Sequence, residues 1–258
     1  METKESWVFV ITDLESSTEI AQAFPRAFEW VQEAHDSTIR DLILAFDGYE
    51  INTEGDAFHV AFRDAATAVQ FAMEVQYQMM ELEWPQEILR MPKCREVKTA
   101  DGQLAFRGPR IRIGIHWAEE GSVEHHIHNL TKHRVFSGSA FQVTRDLCET
   151  AAGGQVLLTQ PVWDRLRHRM HVAAFPVVEQ MGLLKYPRYS EELWVYRVAG
   201  LLGKPLPRED KSGLRFTSGA SLLQKGNGFY ISPPPKPRDP TGTLTFVSCR
   251  FGKILGFR

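Results

Sequence analysis

The run WVFVITDLESST, residues 7–18, constrains the fold of this chain more than any other stretch. Residues 7–12 are apolar or β-branched throughout, the pattern of a strand covered on both faces. The run stops on Asp13 and a helical pattern follows within a few residues. A carboxylate therefore stands where the first N–H groups of a helix have no intrahelical acceptor.

From Ser17 to Phe46 the apolar positions Ile20, Phe24, Phe28, Val31, Ile39, Leu42 and Ile43 recur at helical spacings, and Pro25 divides a short helix from a long one. GYEINTEGDAFHVAF alternates on both sides of Glu54-Gly55-Asp56, which predicts a β-hairpin with Asp56 at its tip. DAATAVQFAMEVQYQMMELEW predicts an amphipathic helix capped by Asp64. Residues 85–109, rich in Pro, Lys and Arg, read as an insertion with an ADGQ hairpin turn. RIRIGIHWA is a further strand, and residues 133–166 read as loop, helix, Gly-Gly turn, strand and a helix opening near Pro161. ELWVYRVAG is the last strand of the series. The order β-α-α-β-β-α-β-α-β predicts an α+β fold, a ferredoxin-like βαββαβ core with extra elements.

Past Gly200 the character changes to Pro, Gly and charge clusters, so a domain over 1–200 is expected to give way to a linker over 201–240. The apolar content of 43% is enough for a packed core, and the net charge of −2 gives no electrostatic case for nucleic acid. Cys94, Cys148 and Cys249 form no CxxC pair or even framework, which fits a reducing, cytoplasmic setting. No apolar run approaches the ~18 residues of a membrane span, and METKESW is too polar for a signal peptide. If the whole protein is membrane-bound, the domain is expected on the cytosolic side.

Asp13 at a strand end and Asp56 at a hairpin tip meet if the first strand is central in the sheet. Two carboxylates there would suit Mg²⁺, which takes oxygen ligands and leaves room for phosphate oxygens. The segment Leu14 to Thr18 would offer N–H groups to phosphate. Each aspartate also has a plainer reading, as a helix cap or a turn former. His125, His126, His128 and His133 lack the regular spacing of a metal motif and read as a solvated loop.

FVITDLESST, INTEGDAFHVAF, RIRIGIHW and CETAAGGQVLLT, in that order over residues 7–198, resemble the class III adenylyl and guanylyl cyclase catalytic domain. The stretch EWPQEILRMPKCREVKTADGQLAFRGPRIRIGIHW resembles the form of that domain in fungal-type cyclases. The resemblance implies conversion of ATP or GTP to a 3′,5′-cyclic nucleotide and pyrophosphate. It implies two Mg²⁺ or Mn²⁺ ions on Asp13, Asp56 and the backbone carbonyl of Leu14. It further implies a phosphate cradle at Glu15, Ser16, Ser17, Thr18 and Gly55, and a phosphate-binding role for Arg112. An arginine suits that role because its planar fork pairs bidentately with phosphate.

The departures from the family pattern are as informative. Where adenylyl cyclases carry a purine-selecting lysine this chain has Asn52, and the second selector position holds Val135. The transition-state asparagine falls on Gln142, and the transition-state arginine on Asp146, with Arg145 one position off. HWAEEG also departs from the small residue usual after that strand. The family works as a dimer of domains, so the resemblance implies a metal-bearing half awaiting a complementing half, and an isolated chain that is nearly inactive. PTGTLTFVSCRFGKI resembles the opening of a second such domain, over 241–258, with Arg250 in place of the metal aspartate. The alternative is a catalytically silent, nucleotide-binding regulatory or dimerisation domain of the same fold.

Overall fold

The computed structural model describes residues 6–98, 102–118, 122–130, 132, 134–167, 176–185, 192–201, 204–205 and 221–225. In chain order the elements are β1 (Trp7–Leu14), α1 (Ser17–Ala23), α2 (Pro25–Ala45), β2 (Tyr49–Glu54), β3 (Ala57–Phe62) and α3 (Ala65–Glu81). The insertion supplies α4 (Gln86–Leu89), β4 (Val97–Lys98) and β5 (Leu104–Phe106). Then come β6 (Ile111–Ala118), β7 (Glu124–Ile127), β8 (Arg134–Ser137), α5 (Ser139–Thr150), β9 (Val156–Thr159) and α6 (Gln160–Arg167). The remaining strands are β10 (Pro176–Lys185), β11 (Glu192–Leu201), β12 (Lys204–Pro205) and β13 (Ser221–Lys225).

The main sheet runs β13-β10-β11-β9-β6-β1-β3-β2. β1 lies between β6 and β3 and is antiparallel to both, and β2 forms the hairpin partner of β3. These four strands with α2 and α3 are the ferredoxin-like core, and β9, parallel to β6, extends it. The α+β class and the central first strand read from the sequence are both observed.

The unbroken apolar run of β1 follows from its position. Val8, Val10 and Leu14 join the core built with Val31 and Ile39 of α2 and Phe71 and Val75 of α3. Trp7 and Phe9 point to the opposite face, against Phe136 and Ala140. Burying each of these side chains is worth roughly 1.5–3 kcal/mol, so a one-residue slip that exchanged the faces is strongly disfavoured. α5 covers the second face closely: a Cβ on Gly114 would stand 2.6 Å from the Cys148 backbone nitrogen and 2.8 Å from the Thr144 carbonyl oxygen. Only a glycine lets β6 and α5 approach to that distance.

Local chemistry accounts for the element ends. Pro25 opens α2 at its first turn, where its missing N–H is not needed. The Asp64 side chain caps α3 by accepting from the Thr67 N–H at 3.0 Å. The insertion is anchored rather than loose. Trp84 and Ile88 are buried, the Trp84 indole donates to the Met79 carbonyl at 2.8 Å, and the Gly108 N–H donates to the Cys94 carbonyl at 2.8 Å.

The structure corrects the sequence reading in two places. The stretch before α5, read as loop, is the hairpin β7–β8, and His125 and His126 lie on its exposed strand. All four residues of β7 are exposed and β8 buries only Phe136, so neither strand leaves an apolar alternation to read. β10 was also missed. Of the stretch read as linker, the described parts are Leu201 at the end of β11 and the strands β12 and β13, which pair with β11 and β10. His133, the residues 119–121 of HWAEEG, and the whole of 241–258 with Cys249 and Arg250 lie outside the described residues.

Candidate active site

Three elements bring the sequence-predicted residues together at one end of β1. Asp13 is the next-to-last residue of β1, and its cross-strand partner on β6 is Arg112. The Arg112 Nε donates to Asp13 Oδ2 at 2.5 Å. Asp56 stands in the β2–β3 turn, which Gly55 closes at φ 65°, a left-handed conformation that costs glycine nothing. The turn reaches β1: Asp56 Oδ2 accepts from the Leu14 N–H at 2.9 Å and Asp56 Oδ1 from the Ser17 hydroxyl at 3.0 Å. One carboxylate therefore ties the hairpin tip to both sides of the turn between β1 and α1.

Burial pushes the Asp13 carboxyl above its ordinary range, and the nearby Asp56 charge pushes the same way while the Arg112 guanidinium pulls it back. A site that holds two carboxylates close under partial burial favours a cation. Each carboxylate keeps acceptor lone pairs beyond those in use, and the donors on offer are hard oxygens, as Mg²⁺ or Mn²⁺ requires. The residues thus fit the implied ions. Among the described residues no group of three or more His, Cys, Asp or Glu converges to hold a metal.

Two N–H groups of the turn expected to receive phosphate are engaged within the chain. The Glu15 N–H donates to the Arg110 carbonyl at 2.8 Å, and the Leu14 N–H is held by Asp56. The Glu15 side chain is buried and turns inward: a Cβ on Gly153 would stand 2.1 Å from Glu15 Oε2. Gly153, the first glycine of CETAAGGQ, thus makes room for the Glu15 side chain. Ser16 sits at φ 64°, immediately before α1, where the first helical N–H groups lack intrahelical acceptors.

The positions that depart from the expected pattern lie on α5 and on β2 and β8, and all but Val135 are paired within the chain. Asn52 Oδ1 meets His59 Nδ1 at 2.9 Å, and burial lowers the His59 pKa to about 4, so this ring is neutral. Asp146 is fully buried and accepts from the Gln142 amide at 3.2 Å. Arg145, one position off, makes a bidentate pair with Glu54 at 2.7 and 2.9 Å. Val135 is exposed on β8. Sequence reasoning missed the Glu54 pairing and also Lys93, whose ammonium donates to the Ser16 hydroxyl at 2.7 Å. Residues 77 positions apart carry no local signal of such a contact.

Comparison with known proteins gives a consistent result. A sequence model of the family described as "Adenylate and Guanylate cyclase catalytic domain" matches residues 1–183. An adenylate cyclase from Podospora anserina is 31% identical over 150 residues, 58% of this chain and 7% of the relative. A receptor-type adenylate cyclase A from Leishmania donovani is 26% identical over 94% of this chain and 19% of its own length. The chain therefore spans a small part of these curated relatives. Among solved structures, an adenylate cyclase from Trypanosoma brucei superposes with a TM-score of 0.70 at 22% identity, covering 88% of this chain and 96% of that one.

Proposed function

The chain belongs to the adenylate and guanylate cyclase catalytic domain family, and from that premise we propose that it is the metal-bearing half of a cyclase site completed by a second cyclase domain. The reaction is conversion of a purine nucleoside triphosphate to its 3′,5′-cyclic monophosphate and pyrophosphate. The observation that carries this reading is an asymmetry: Asp13, Asp56 and Arg112 converge at the end of β1, while Asn52, Val135, Gln142 and Asp146 replace the base-selecting and transition-state residues. Relatives named adenylate cyclases support ATP over GTP. Cys94 and Cys148, free and buried, support a reducing, cytoplasmic setting.

Two Mg²⁺ or Mn²⁺ ions on Asp13, Asp56 and the Leu14 carbonyl would supply charge neutralisation and activation of the ribose 3′-hydroxyl. The remaining work falls to the chain. The central strand fixes Asp13, and the hairpin tip delivers Asp56 against the turn. Ser16, Ser17 and Thr18 bind phosphate oxygens through N–H and hydroxyl groups. Arg112 holds Asp13 and presents a planar fork suited to the terminal phosphates. What this half lacks is a donor to the charge that develops on the α-phosphate, and loss of such a donor costs about 10²–10³ in rate.

The test is cyclic-nucleotide production with Mn²⁺ by the 258-residue chain, alone and mixed with a cyclase domain that supplies the completing residues. The chain alone is expected to be nearly inactive and the mixture active. Asp13→Ala and Asp56→Ala should each lower the mixture's rate by about 100-fold or more. Activity indifferent to both changes overturns the metal assignment. No activity with any complement favours the alternative, a silent regulatory domain.

A further inference from the structure

We propose that Lys93, carried by the insertion between α3 and β6, is a triphosphate-binding residue of this same site, supplied by the chain that also supplies the metal carboxylates. The inference rests on the cyclase reading above and adds a residue to it. Lys93 reaches across from the insertion to the turn after β1, donating to the Ser16 hydroxyl at 2.7 Å and pairing with Glu19 at 3.3 Å. Ser16 adjoins Ser17, which is bound to Asp56. Arg112 thus holds Asp13 on one side of the turn, and Lys93 reaches Ser16 next to the Ser17 that binds Asp56 on the other.

The placement of Lys93 is built. It follows the short helix α4, with buried Ile88 before it and buried Cys94 directly after it. The Cys94 and Arg95 N–H groups both donate to the Met91 carbonyl, at 2.9 and 3.0 Å, closing a tight turn around Lys93. A short turn between buried anchors presents the side chain in a fixed direction. A structural role explains it poorly. Lys93 and Glu19 are 45% and 61% exposed, and a solvated pair of that kind contributes little to stability. A cation beside the first turn of α1 also opposes the helix dipole rather than complementing it. Bound polyphosphate reverses that balance, because its charge lies between the ammonium and the metal ions. An ammonium on a flexible stem suits a terminal phosphate, whose oxygens it meets as a point charge.

The experiment measures binding of inorganic tripolyphosphate, and of ATP, to the whole chain in Mn²⁺ by calorimetry, which requires no complementing half. Lys93→Gln should weaken tripolyphosphate binding about ten-fold and flatten its salt dependence, with an unchanged melting temperature. Lys93→Arg should stay within about three-fold of wild type, because the charge is retained. Asp56→Asn serves as the control for the underlying site. If Asp56→Asn abolishes binding while Lys93→Gln stays within two-fold of wild type, the Lys93 assignment falls and the cyclase reading stands. If Lys93→Gln lowers the melting temperature without weakening binding, the residue is a structural tie and the assignment is overturned. If the wild-type chain binds neither tripolyphosphate nor ATP, both fall together.

Discussion

The turn after β1 and the surroundings of α5 flank the same sheet, yet their polar groups behave in opposite ways. At the turn, like charges are held together: Asp13 and Asp56 face the same space, and burial raises the Asp13 pKa. Around α5 the polar residues at the displaced positions have partners inside the chain, and Val135 is exposed. Asn52 meets His59, Gln142 meets Asp146, and Arg145 is clamped by Glu54. A site left electrostatically unfinished is one that a ligand completes. A region whose substitutions are mutually satisfied has settled into a structural role. On the reading proposed above, the chain would keep one half of a cyclase site while the other half is replaced by internal contacts.

The sharpest way to break that contrast is to restore the missing arginine. Asp146 is fully buried and sits on α5 beneath the sheet. Asp146→Arg would put a long cation where an aspartate now accepts from Gln142. An unpaired buried charge costs about 3–5 kcal/mol, so the variant should unfold at much lower denaturant without gaining cyclase activity. Near-wild-type stability together with self-sufficient cyclase activity would show that the α5 side is merely a lapsed site, and the contrast would fail.

The next effect is on acid stability. His59 beside Asn52 and His116 on β6 both have pKa values lowered from 6.5 to about 4, chiefly by burial. For His59 the Glu54 charge acts in the opposite direction, and for His116 the Arg165 charge adds to the lowering. A histidine that stays neutral in the fold but takes a proton when unfolded favours unfolding as pH drops. Stability is therefore complete above pH 6.5 and declines toward pH 4, by at most about 3 kcal/mol for each ring. Thermal unfolding across this range should show the decline. His116→Gln should flatten it while leaving tripolyphosphate binding at pH 7.5 untouched, since His116 bonds to Thr159 away from the turn.

What the sequence made legible follows the same division. The strand run, the hairpin alternation and the Asp64 cap are local patterns, and each appears where the residues placed it. Asp13 and Asp56 were legible because a central strand and a hairpin tip have few ways to meet. The pairing of Arg145 with Glu54, and of Lys93 with Ser16, were not, because each joins residues far apart in sequence through long exposed side chains. The inward turn of Glu15 was hidden for a related reason. It depends on the glycine at 153, and only the packed fold shows which side chain that glycine makes room for. The hairpin β7–β8 escaped because its exposed surface carries no apolar period.

The smallest effect decides whether the rebuilt side is held together or only decorated. Glu54 precedes the Gly55-Asp56 turn, so its bidentate pair with Arg145 ties α5 to the hairpin tip that carries Asp56. The pair lowers the Glu54 pKa and raises that of Arg145. Yet the side chains are 50% and 32% exposed, so solvent screens much of the interaction. A double-mutant cycle with Glu54→Gln and Arg145→Ala should give a coupling of about 0.3–1 kcal/mol in urea unfolding, shrinking in high salt. The informative reading is on binding. If the pair only fastens a surface, Arg145→Ala leaves Mn²⁺-dependent tripolyphosphate affinity unchanged. If it also steadies the hairpin tip, the affinity falls a few-fold in either single variant and no further in the double, because both changes remove the same tie. The two sides of the molecule would then be coupled through one arginine.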